Sequence, residues 1–471
     1  MHNKYDAVVV GAGPNGLSAA IALAQSGEKT LLIEGAASVG GGTRTDELTL
    51  PGFHHDFCSA VHPTGILSPF WQQLPLNQFG LEWIPAKASV AHPLDEEEAV
   101  LLTQSVEETM TNLGPDGAAW ASMVRPFVRR ADELLADSLK PLGIPKSPFL
   151  LARFGIKALW PATTLAKWSF KGQRARALFA GCAAHSVLPL DMPFSSAIGL
   201  MFAVMGHVEN WPVAKGGSQA IAQALASYFE SLGGEIVVNT WIKSFDQLPE
   251  AKRYFFDTDP KQLASIAAAE LPASYRRRLR SYNYGPGVFK LDYALNGSIP
   301  WRDPRCLQAS TVHVGGTLAE IAASEKDAWK GRASDRPFIM VCQQSEFDTG
   351  RAPEGQHTGY AYCHVPQASK RDWTPYIEDQ IERFAPGFKD LILARKTTTP
   401  QDFQSYNPNY VGGAITGGAA DITQLFTRPV ARINPYSTPN PKIFICSAST
   451  PPGGGVHGMC GYHAVRLALR N

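Results

Sequence analysis

The chain has 471 residues, with 43 lysines and arginines against 42 aspartates and glutamates. A formal charge of +1 lacks the basic excess of a nucleic-acid-binding protein, and a composition with 44% hydrophobic and 18% charged residues excludes an intrinsically disordered chain. At about 100–200 residues per domain, the length predicts two or three domains. We therefore expect a folded protein with no nucleic-acid partner.

The beginning of the sequence predicts a nucleotide-binding unit. Residues 5–10 have the apolar, β-rich pattern of a central parallel strand, and a G-x-G-x-x-G turn leads from them into a helix of small residues. Gly11 permits the tight turn, Gly13 lets the backbone approach a pyrophosphate, and Gly16 lets the helix contact the strand. The start of the helix then offers free N–H groups to the phosphates.

A second strand and a second glycine segment favour FAD over NAD. The strand over residues 30–34 ends at Glu34, 18 residues after Gly16, close to the spacing of about 20 at which an acid binds a ribose. The segment 39–45 then carries three consecutive glycines. A large flavoprotein brings a second backbone loop against its cofactor at this point, whereas an NAD dehydrogenase has no need of one.

The middle of the chain combines basic and aromatic residues. Residues 130–205 have a mostly helical pattern, and no aspartate or glutamate occurs between Ser138 and Leu190. The stretch contains Lys140, Lys146, Phe149, Arg153, Phe154, Lys157, Trp160, Lys167, Trp168, Phe170, Lys171, Arg174, Arg176 and Phe179. This pattern is typical of segments that lie on anionic membranes. Two interpretations remain: peripheral membrane contact through 140–180, or a solvated helical face whose aromatic rings belong to the core.

Two later segments repeat the alternation of glycine turns with strands and helices. Residues 211–219 contain a Gly-Gly pair and precede an amphipathic helix, and a second Gly-Gly pair opens a strand that runs towards Ile242. Residues 443–461 combine an apolar strand, a glycine-rich loop and the start of a helix. From 286 to 365, β-type segments recur, so a sheet that covers the cofactor is predicted.

In this order, the motifs resemble those of the glutathione-reductase-like FAD superfamily. The resemblance is greatest to phytoene desaturase-like and amine-oxidase-like flavoproteins, near the pyridine nucleotide-disulfide oxidoreductase domain-containing proteins. Glu34 and the first two glycines of the second segment match the superfamily pattern Glu-x5-Gly-Gly-Arg. Gly42 replaces its usual arginine, so Arg44 is the candidate for the arginine's role.

The resemblance also implies which residues touch the cofactor. The end of the strand near Ile242 contacts the adenine, and the loop that precedes the C-terminal helix offers N–H groups to the flavin's pyrimidine edge. Fingerprint and resemblance together predict the cofactor-binding residues Gly11, Gly13, Pro14, Asn15, Gly16, Glu34, Gly40, Gly41, Gly42, Thr43, Arg44, Ile242, Ser449, Gly455, Val456, His457 and Met459.

The predicted fold class is α/β, with a Rossmann-like FAD-binding domain built from discontinuous segments and a substrate domain of mixed sheet and helix. The FAD-binding domain is expected to comprise residues 1–70, 210–285 and 430–471. The substrate domain would then comprise residues 71–209 and 286–429.

The predicted function is that of an FAD-dependent oxidoreductase that desaturates or saturates an apolar, extended substrate, such as a carotenoid, another isoprenoid or a lipid. The flavin supplies the redox chemistry while the protein orients the substrate. Three alternatives stay open: a non-catalytic escort or assembly protein, a flavin-dependent double-bond isomerase, and a Rossmann NAD(P) dehydrogenase.

Few side chains are needed for such chemistry, and two histidines are candidates. His457 lies in the predicted flavin loop, and His62 follows a segment that passes the flavin in similar proteins. Either acts as an acid or base near neutral pH, or both only hydrogen-bond to cofactor or backbone.

The cysteines and the apolar stretches indicate where in the cell the protein is expected. The seven cysteines, an odd number, are scattered without any Cys-x-x-Cys, which predicts neither a disulfide framework nor a metal site. Residues 1–6 run into the first strand without a secretory leader. The longest apolar stretch, 197–206, is shorter than the about 20 residues of a membrane-spanning helix. We expect a cytoplasmic protein, with membrane attachment at the surface left open.

Overall fold

A computed structural model describes residues 4–470. Within them the strands are β1 (Tyr5–Val10), β2 (Thr30–Ile33), β3 (Thr45–Glu47), β4 (His54–Asp56), β5 (Trp83–Ile84), β6 (Ala88–His92), β7 (Val100–Thr103), β8 (Val213–Ala214), β9 (Glu235–Val237), β10 (Ala251–Phe256), β11 (Gly287–Leu295), β12 (Ala309–Val314), β13 (Ile339–Cys342), β14 (His357–Val365), β15 (Ile392–Thr398) and β16 (Ile443–Ile445).

The helices of the same residues are α1 (Pro14–Gln25), α2 (Pro63–Ile66), α3 (Val106–Leu113), α4 (Gly117–Val128), α5 (Ala131–Ser138), α6 (Pro148–Ala158), α7 (Ala162–Ser169), α8 (Gln173–Ala184), α9 (Ser195–Val208), α10 (Gln219–Ser231), α11 (Pro260–Ile266), α12 (Ala273–Arg280), α13 (Leu318–Trp329), α14 (Thr374–Phe384), α15 (Pro400–Tyr406) and α16 (Met459–Ala468). None of the helices found between residues 4 and 470 combines the length and the apolar character that crossing a membrane requires.

The first sheet is parallel and has the strand order β16-β10-β1-β2-β9. Helices cover both of its faces. Successive side chains of a strand point to opposite sides, so alternate residues pack against different helices. In β1, Ala7 and Val9 belong to the core under α1, α10 and α16, while Val8 and Val10 belong to the core under α11 and α12. Strands buried on both faces need the continuous apolar runs that the sequence shows.

The second sheet is mixed and has the order β15-β11-β14-β13-β12-β6-β7. Its pairs are antiparallel except for β12 with β6, which are parallel. Helices α3 to α9 build a large helical core beside it, which agrees with the helical pattern predicted for 130–205. The prediction of an α/β fold with a Rossmann-like parallel sheet and a second unit of mixed sheet and helix is confirmed.

The strands of the parallel sheet come from three separate stretches, each within one of the segments predicted for the FAD-binding domain. The strands of the mixed sheet come from residues 88–103 and 287–398. The domain limits themselves stay a prediction.

A group of large apolar side chains is exposed on and around α6 and α7. We call it the apolar patch; it consists of Leu142, Ile144, Phe149, Ile156, Leu159, Trp160 and Trp168. Phe149 is 89% exposed and Trp168 is 66% exposed. In contrast, Phe154, Phe170 and Phe179 are buried in the helical core, so the core interpretation holds for half of the predicted aromatic set.

The contact between α1 and α16 gives a test of the packing. A Cβ atom added to Gly461 would lie 1.9 Å from the carbonyl oxygen of Asn15, so the Gly461→Ala variant must move two helices apart. Overpacking of this kind costs about 1–3 kcal/mol. We expect a lower midpoint of urea unfolding, measured by far-UV circular dichroism.

The matched control is Gly155→Ala in α6, where an added Cβ would meet no atom within 4 Å. This variant should be more stable than the wild type by about 0.5–1 kcal/mol, because alanine loses less backbone entropy in a helix. Equal stability of the two variants would contradict the described packing.

Candidate functional site

The G-x-G-x-x-G turn joins β1 to α1 as the sequence predicts. Gly16 is the closest point of contact, since a Cβ atom there would lie 1.9 Å from the carbonyl oxygen of Gly11. Gly13 is the N-cap of α1, and Pro14 follows it as the first helical residue. The first turn of the helix carries no acidic residue of its own, which leaves its positive dipole end facing the cavity described below.

Asp257, at the end of β10, lies beside this turn and was missed by the sequence analysis. Its Oδ2 accepts a hydrogen bond of 2.9 Å from the Gly16 N–H, and a Cβ atom on Gly13 would lie 2.9 Å from the same oxygen. Burial and the nearby Glu34 carboxylate raise the pKa of Asp257 well above its ordinary value, although backbone N–H groups of Gly16 and Gly13 oppose this. Its place beside the turn depends on the pairing of β10 with β1, which the sequence around Asp257 does not show.

Glu34 follows the end of β2 and organises two loops. Its Oε2 accepts 2.7 Å from the Ala12 N–H, and its Oε1 accepts 2.9 Å from the Ala36 N–H. Arg44 lies 3.4 Å from the same carboxylate and donates 2.6 Å to the Ser38 carbonyl. The acid and the predicted stand-in arginine are therefore neighbours at the cavity.

The second glycine segment packs directly against the first. The Gly40 N–H donates 2.8 Å to the Ala12 carbonyl, and a Cβ atom on Gly41 would lie 3.1 Å from the Cα atom of Gly13. The buried Thr43 hydroxyl donates 2.8 Å back to the Gly40 carbonyl. The two glycine loops thus form one surface of exposed backbone.

The C-terminal loop reaches the same region between β16 and α16. Ser449, Gly455 and Val456 line the cavity. The buried ring of His457 accepts 3.0 Å at Nδ1 from the Met459 N–H, and burial lowers its pKa to about 4. This histidine is neutral near neutral pH and stabilises the turn into α16.

His62 is also buried and bonded within the protein. Its Nε2 lies 3.0 Å from the Ser218 hydroxyl, and burial lowers its pKa to about 4. Neither His62 nor His457 is among the described residues that line the cavity. The observed contacts are those of hydrogen-bonding residues, and the acid–base roles of both histidines stay a prediction.

One cavity of about 410 Å³ brings most of the predicted cofactor residues together. The predicted residues along it are Gly11, Gly13, Pro14, Asn15, Glu34, Gly41, Gly42, Thr43, Arg44, Ile242, Ser449, Gly455 and Val456. Gly16, Gly40, His457 and Met459 lie behind this lining and hold its loops in place.

Trp241 borders one end of the cavity and was also missed. Its ring lies over Gly35, where a Cβ atom would be 2.3 Å from the indole, and it is 48% exposed. The sequence places a tryptophan next to the predicted Ile242, but it does not show that the ring covers Gly35. Because the indole is flat and lies beside Glu34, it suits contact with the base of a nucleotide whose ribose lies at Glu34.

The other end of the cavity lies between the mixed sheet and the helical core. The sheet contributes Thr311, Met340, Cys342, Tyr360, Tyr362 and His364, and the other side contributes His185, Val187, Ile198, Phe202 and Trp211. Most of these side chains are apolar or aromatic, so this end suits an apolar molecule.

A cluster of buried charged side chains lies beside the loop 57–61, between the two ends of the cavity. Arg351 donates 2.6 Å to Asp56, and Lys290 donates 2.6 Å to Asp292. Burial opposes ionisation of Asp56, but the Arg351 charge and hydrogen bonds keep its pKa below the ordinary value. Burial raises the pKa of Asp292 to about 6. Within residues 4–470 there is no group of three or more His, Cys, Asp or Glu side chains placed to bind a metal.

Comparison with known proteins agrees with this geometry. Residues 9–74 match the NAD(P)-binding Rossmann-like domain family. The chain is 26% identical to pyridine nucleotide-disulfide oxidoreductase domain-containing protein 2 of Rattus norvegicus, across 99% of this chain and 94% of that protein. It is 22% identical to one of the subunits of the limonene dehydrogenase of Castellaniella defragrans, across 99% and 95% of the two chains.

A 4,4'-diapophytoene desaturase of Methylomonas is 21% identical, with 100% of this chain and 95% of that protein covered. Among solved structures, an oxidoreductase from Methanosarcina mazei has the same fold, with a TM-score of 0.66, 14% identity, and 99% and 100% of the two chains covered. The predicted resemblance is confirmed, since the relatives are named for oxidoreductases and residues 9–74 of this chain match a Rossmann-like domain.

The buried histidines predict how stability depends on pH. Burial lowers the pKa of His55, His62, His92, His185, His207, His313, His457 and His463. In the unfolded chain each ring takes a proton at a pH of about 6.5, whereas the buried rings of His62 and His457 stay neutral down to about 4. Between these values the unfolded state binds more protons, so acidification lowers the free energy of unfolding by about 1.4 kcal/mol per pH unit per ring.

Urea unfolding at pH about 7.5 and about 5.5 checks this expectation. The His457→Gln variant keeps a hydrogen-bonding side chain but no titrating ring, so its stability should fall less steeply than that of the wild type. Identical pH slopes for the two proteins would show that His457 is protonated equally in both states.

Proposed function

We propose that the chain, which is similar to a limonene dehydrogenase subunit and a 4,4'-diapophytoene desaturase, binds FAD and oxidises or reduces an apolar, extended substrate. The observation that carries this proposal is the continuous cavity. It begins at the glycine turn of β1, passes the C-terminal loop at Gly455, and ends between the mixed sheet and the helical core.

The residues of the cavity fit FAD along its length. Glu34 and Trp241 suit the adenosine end, and the backbone of the two glycine loops with the start of α1 suits the pyrophosphate. Gly455, with φ of 131°, and Val456 offer backbone to the flavin end. When bound, the flavin supplies the hydride chemistry at N5, and the protein orients the substrate and excludes water.

The apolar walls support the substrate class. Phe202, Trp211, Tyr362 and Met340 lie at the end of the cavity beyond the flavin region. Two relatives are named for limonene and for 4,4'-diapophytoene, which are both hydrocarbons. We therefore infer desaturation or saturation of an apolar isoprenoid-like or lipid-like molecule.

The alternatives make different use of the same cavity. An escort or assembly protein has no need of a glycine turn as tightly constrained as that at Gly13 and Gly16. An NAD(P) dehydrogenase leaves the contribution of the C-terminal loop at Gly455 without a purpose. A flavin-dependent isomerase would use every contact described, and it is distinguished by products that have the same mass as the substrate.

We expect the purified protein to be yellow with bound FAD. In the Gly13→Val variant the side chain would collide with the Asp257 carboxylate and occupy the backbone surface needed for the pyrophosphate, so flavin binding should be lost. Flavin content is measured by absorbance after gel filtration with added FAD.

The matched control is Gly155→Val, because this glycine lies in α6 with open space around it. It should retain the flavin content of the wild type. A folded wild type that takes up no FAD would overturn the proposal, and rapid anaerobic reduction of the bound flavin by NADPH would instead favour a pyridine-nucleotide enzyme.

We also propose that the apolar patch contacts an anionic membrane, from which an apolar substrate would be drawn. The patch lies in a stretch without acidic residues, and the exposed bases Lys146, Arg153, Lys167 and Lys171 accompany it. None of these four forms an ion pair with another described residue. Exposed aromatic rings flanked by unpaired cations are what binding to an anionic lipid surface requires.

Co-sedimentation with vesicles that contain phosphatidylserine tests this contact. Each base near the surface contributes about 1 kcal/mol, so reversing the charge of Arg153, Lys157 and Lys167 to Glu should weaken binding about a hundredfold or more. The control reverses Arg277, Arg278 and Arg280 of α12, where the net charge changes equally but the apolar patch is untouched.

The control variant should bind the vesicles nearly as well as the wild type. Equal losses in both variants would indicate a general charge effect, and no binding by the wild type at low salt would end the membrane proposal. Neither result affects the FAD assignment.

A further inference from the structure

Strand β14 presents a row of side chains to the apolar end of the cavity. Tyr360, Tyr362 and His364 alternate along the strand, so they point to the same face of the sheet. The rings of Tyr360 and Tyr362 have centroids 5.7 Å apart, and those of Tyr362 and His364 have centroids 5.9 Å apart. The Tyr360 hydroxyl donates to the Cys58 carbonyl, which ties this row to the loop at the proposed flavin region.

His364 ends the row and is bonded to a buried carboxylate. Its Nδ1 lies 2.7 Å from Oε2 of Glu325, which projects from α13. Both side chains are almost fully buried, and the other carboxylate oxygen of Glu325 has no partner among the described residues. No side chain or backbone group between residues 4 and 470 hydrogen-bonds to Nε2 of His364, and the ring lines the cavity.

This arrangement determines which nitrogen is free. A carboxylate accepts but does not donate, so the Nδ1 of the neutral ring carries the proton and Nε2 has an open lone pair. The carboxylate also stabilises the imidazolium that forms when Nε2 takes a second proton. Among residues 4–470, His364 is the only hydrogen-bond partner of the Glu325 carboxylate, and a buried carboxylate is costly unless it is paired.

The neighbouring pair of histidines, His185 and His313, leaves no such free Nε2 in the cavity. His185 also lines the cavity, but its Nε2 lies 2.9 Å from Nε2 of His313, so the nitrogen is already occupied. Burial lowers the pKa of His185 to about 3, which disfavours its protonation.

We propose that His364 is the catalytic proton acceptor of the cavity and that Glu325 is its positioning residue. The proposal rests on the proposed function, since the electrons of the substrate pass to FAD. In desaturation, bound FAD would be the two-electron oxidant that takes a hydride from one C–H bond of the substrate. Positive charge on the substrate then acidifies the adjacent C–H bond, whose proton goes to Nε2 of His364 while its electron pair forms the C=C bond. In saturation, the imidazolium would return that proton to one carbon while reduced FAD supplied the hydride to the other.

The test uses 4-nitrophenol as an apolar probe with one acidic proton. The protein, whose FAD content has been measured separately, is buffered below the pH at which the free phenol ionises. If Nε2 of His364 accepts the proton, bound 4-nitrophenol shows the phenolate absorbance band in the difference spectrum. A hydrogen bond to a charged group changes affinity about tenfold or more, so the phenolate signal should fall by that factor in His364→Gln and in Glu325→Gln.

His357 provides the matched control, because it lies on the same strand and also pairs with a glutamate. Its Nδ1 is 3.2 Å from Glu346, but the ring is outside the residues that line the cavity. The His357→Gln variant should give the phenolate band of the wild type.

Absence of the phenolate band in the wild type overturns the proposal, as does an equal band in wild type and His364→Gln. A band that survives in Glu325→Gln removes the positioning role of the glutamate. Since flavin absorbance is recorded independently, a phenolate band in protein without FAD would support the proton acceptor while the oxidoreductase proposal failed.

Discussion

The buried ion pair of Asp56 and Arg351 joins the two units of this protein at the point where the cavity passes between them. Asp56 belongs to the hairpin β3–β4, next to the nucleotide side, and also accepts from the Ser218 N–H at the start of α10. Arg351 comes from the loop before β14 of the mixed sheet and donates to the His54 carbonyl as well. Both side chains are fully buried, so loss of one partner would leave the other charge without compensation. The cavity wall at Cys58 and Ala60 therefore depends on it.

The end of the cavity formed by the two glycine loops and Glu34 was largely predictable from the sequence, because the residues that form it are close together in the chain. A strand, a glycine turn, a helix of small residues and a terminal acid are specified by residues within one βαβ unit, and the structure brings Gly13 and Glu34 to one cavity. Asp257 and Trp241 were not found because each reaches the site through strand order and loop packing. Nothing close to them in the sequence shows that β10 lies beside β1 or that Trp241 covers Gly35.

The substrate side was predictable only in outline. The helical pattern of 130–205 and the strands after 286 were correctly assigned, but the periodicity did not show which aromatic residues are exposed. Phe154 faces the core and Phe149 faces outward, because the packing of α6 on the other helices sets its orientation. The pairing of His364 with Glu325 joins β14 and α13 across 39 residues, and no spacing rule indicates it.

The strand order of the parallel sheet has a consequence for synthesis of the chain. β1 lies in the middle of the sheet, but its neighbour β10 is made about 240 residues later and the edge strand β16 later still. The nucleotide-binding half of the protein therefore cannot complete its sheet while the ribosome is producing the helical core and the mixed sheet. During this interval β1 lacks its partner β10 on one edge, and the helical core itself waits for Leu318, Ile321, Phe338 and Met340. The parallel sheet and the helices that cover it are therefore complete only after β16 and α16 have been made, close to the end of synthesis.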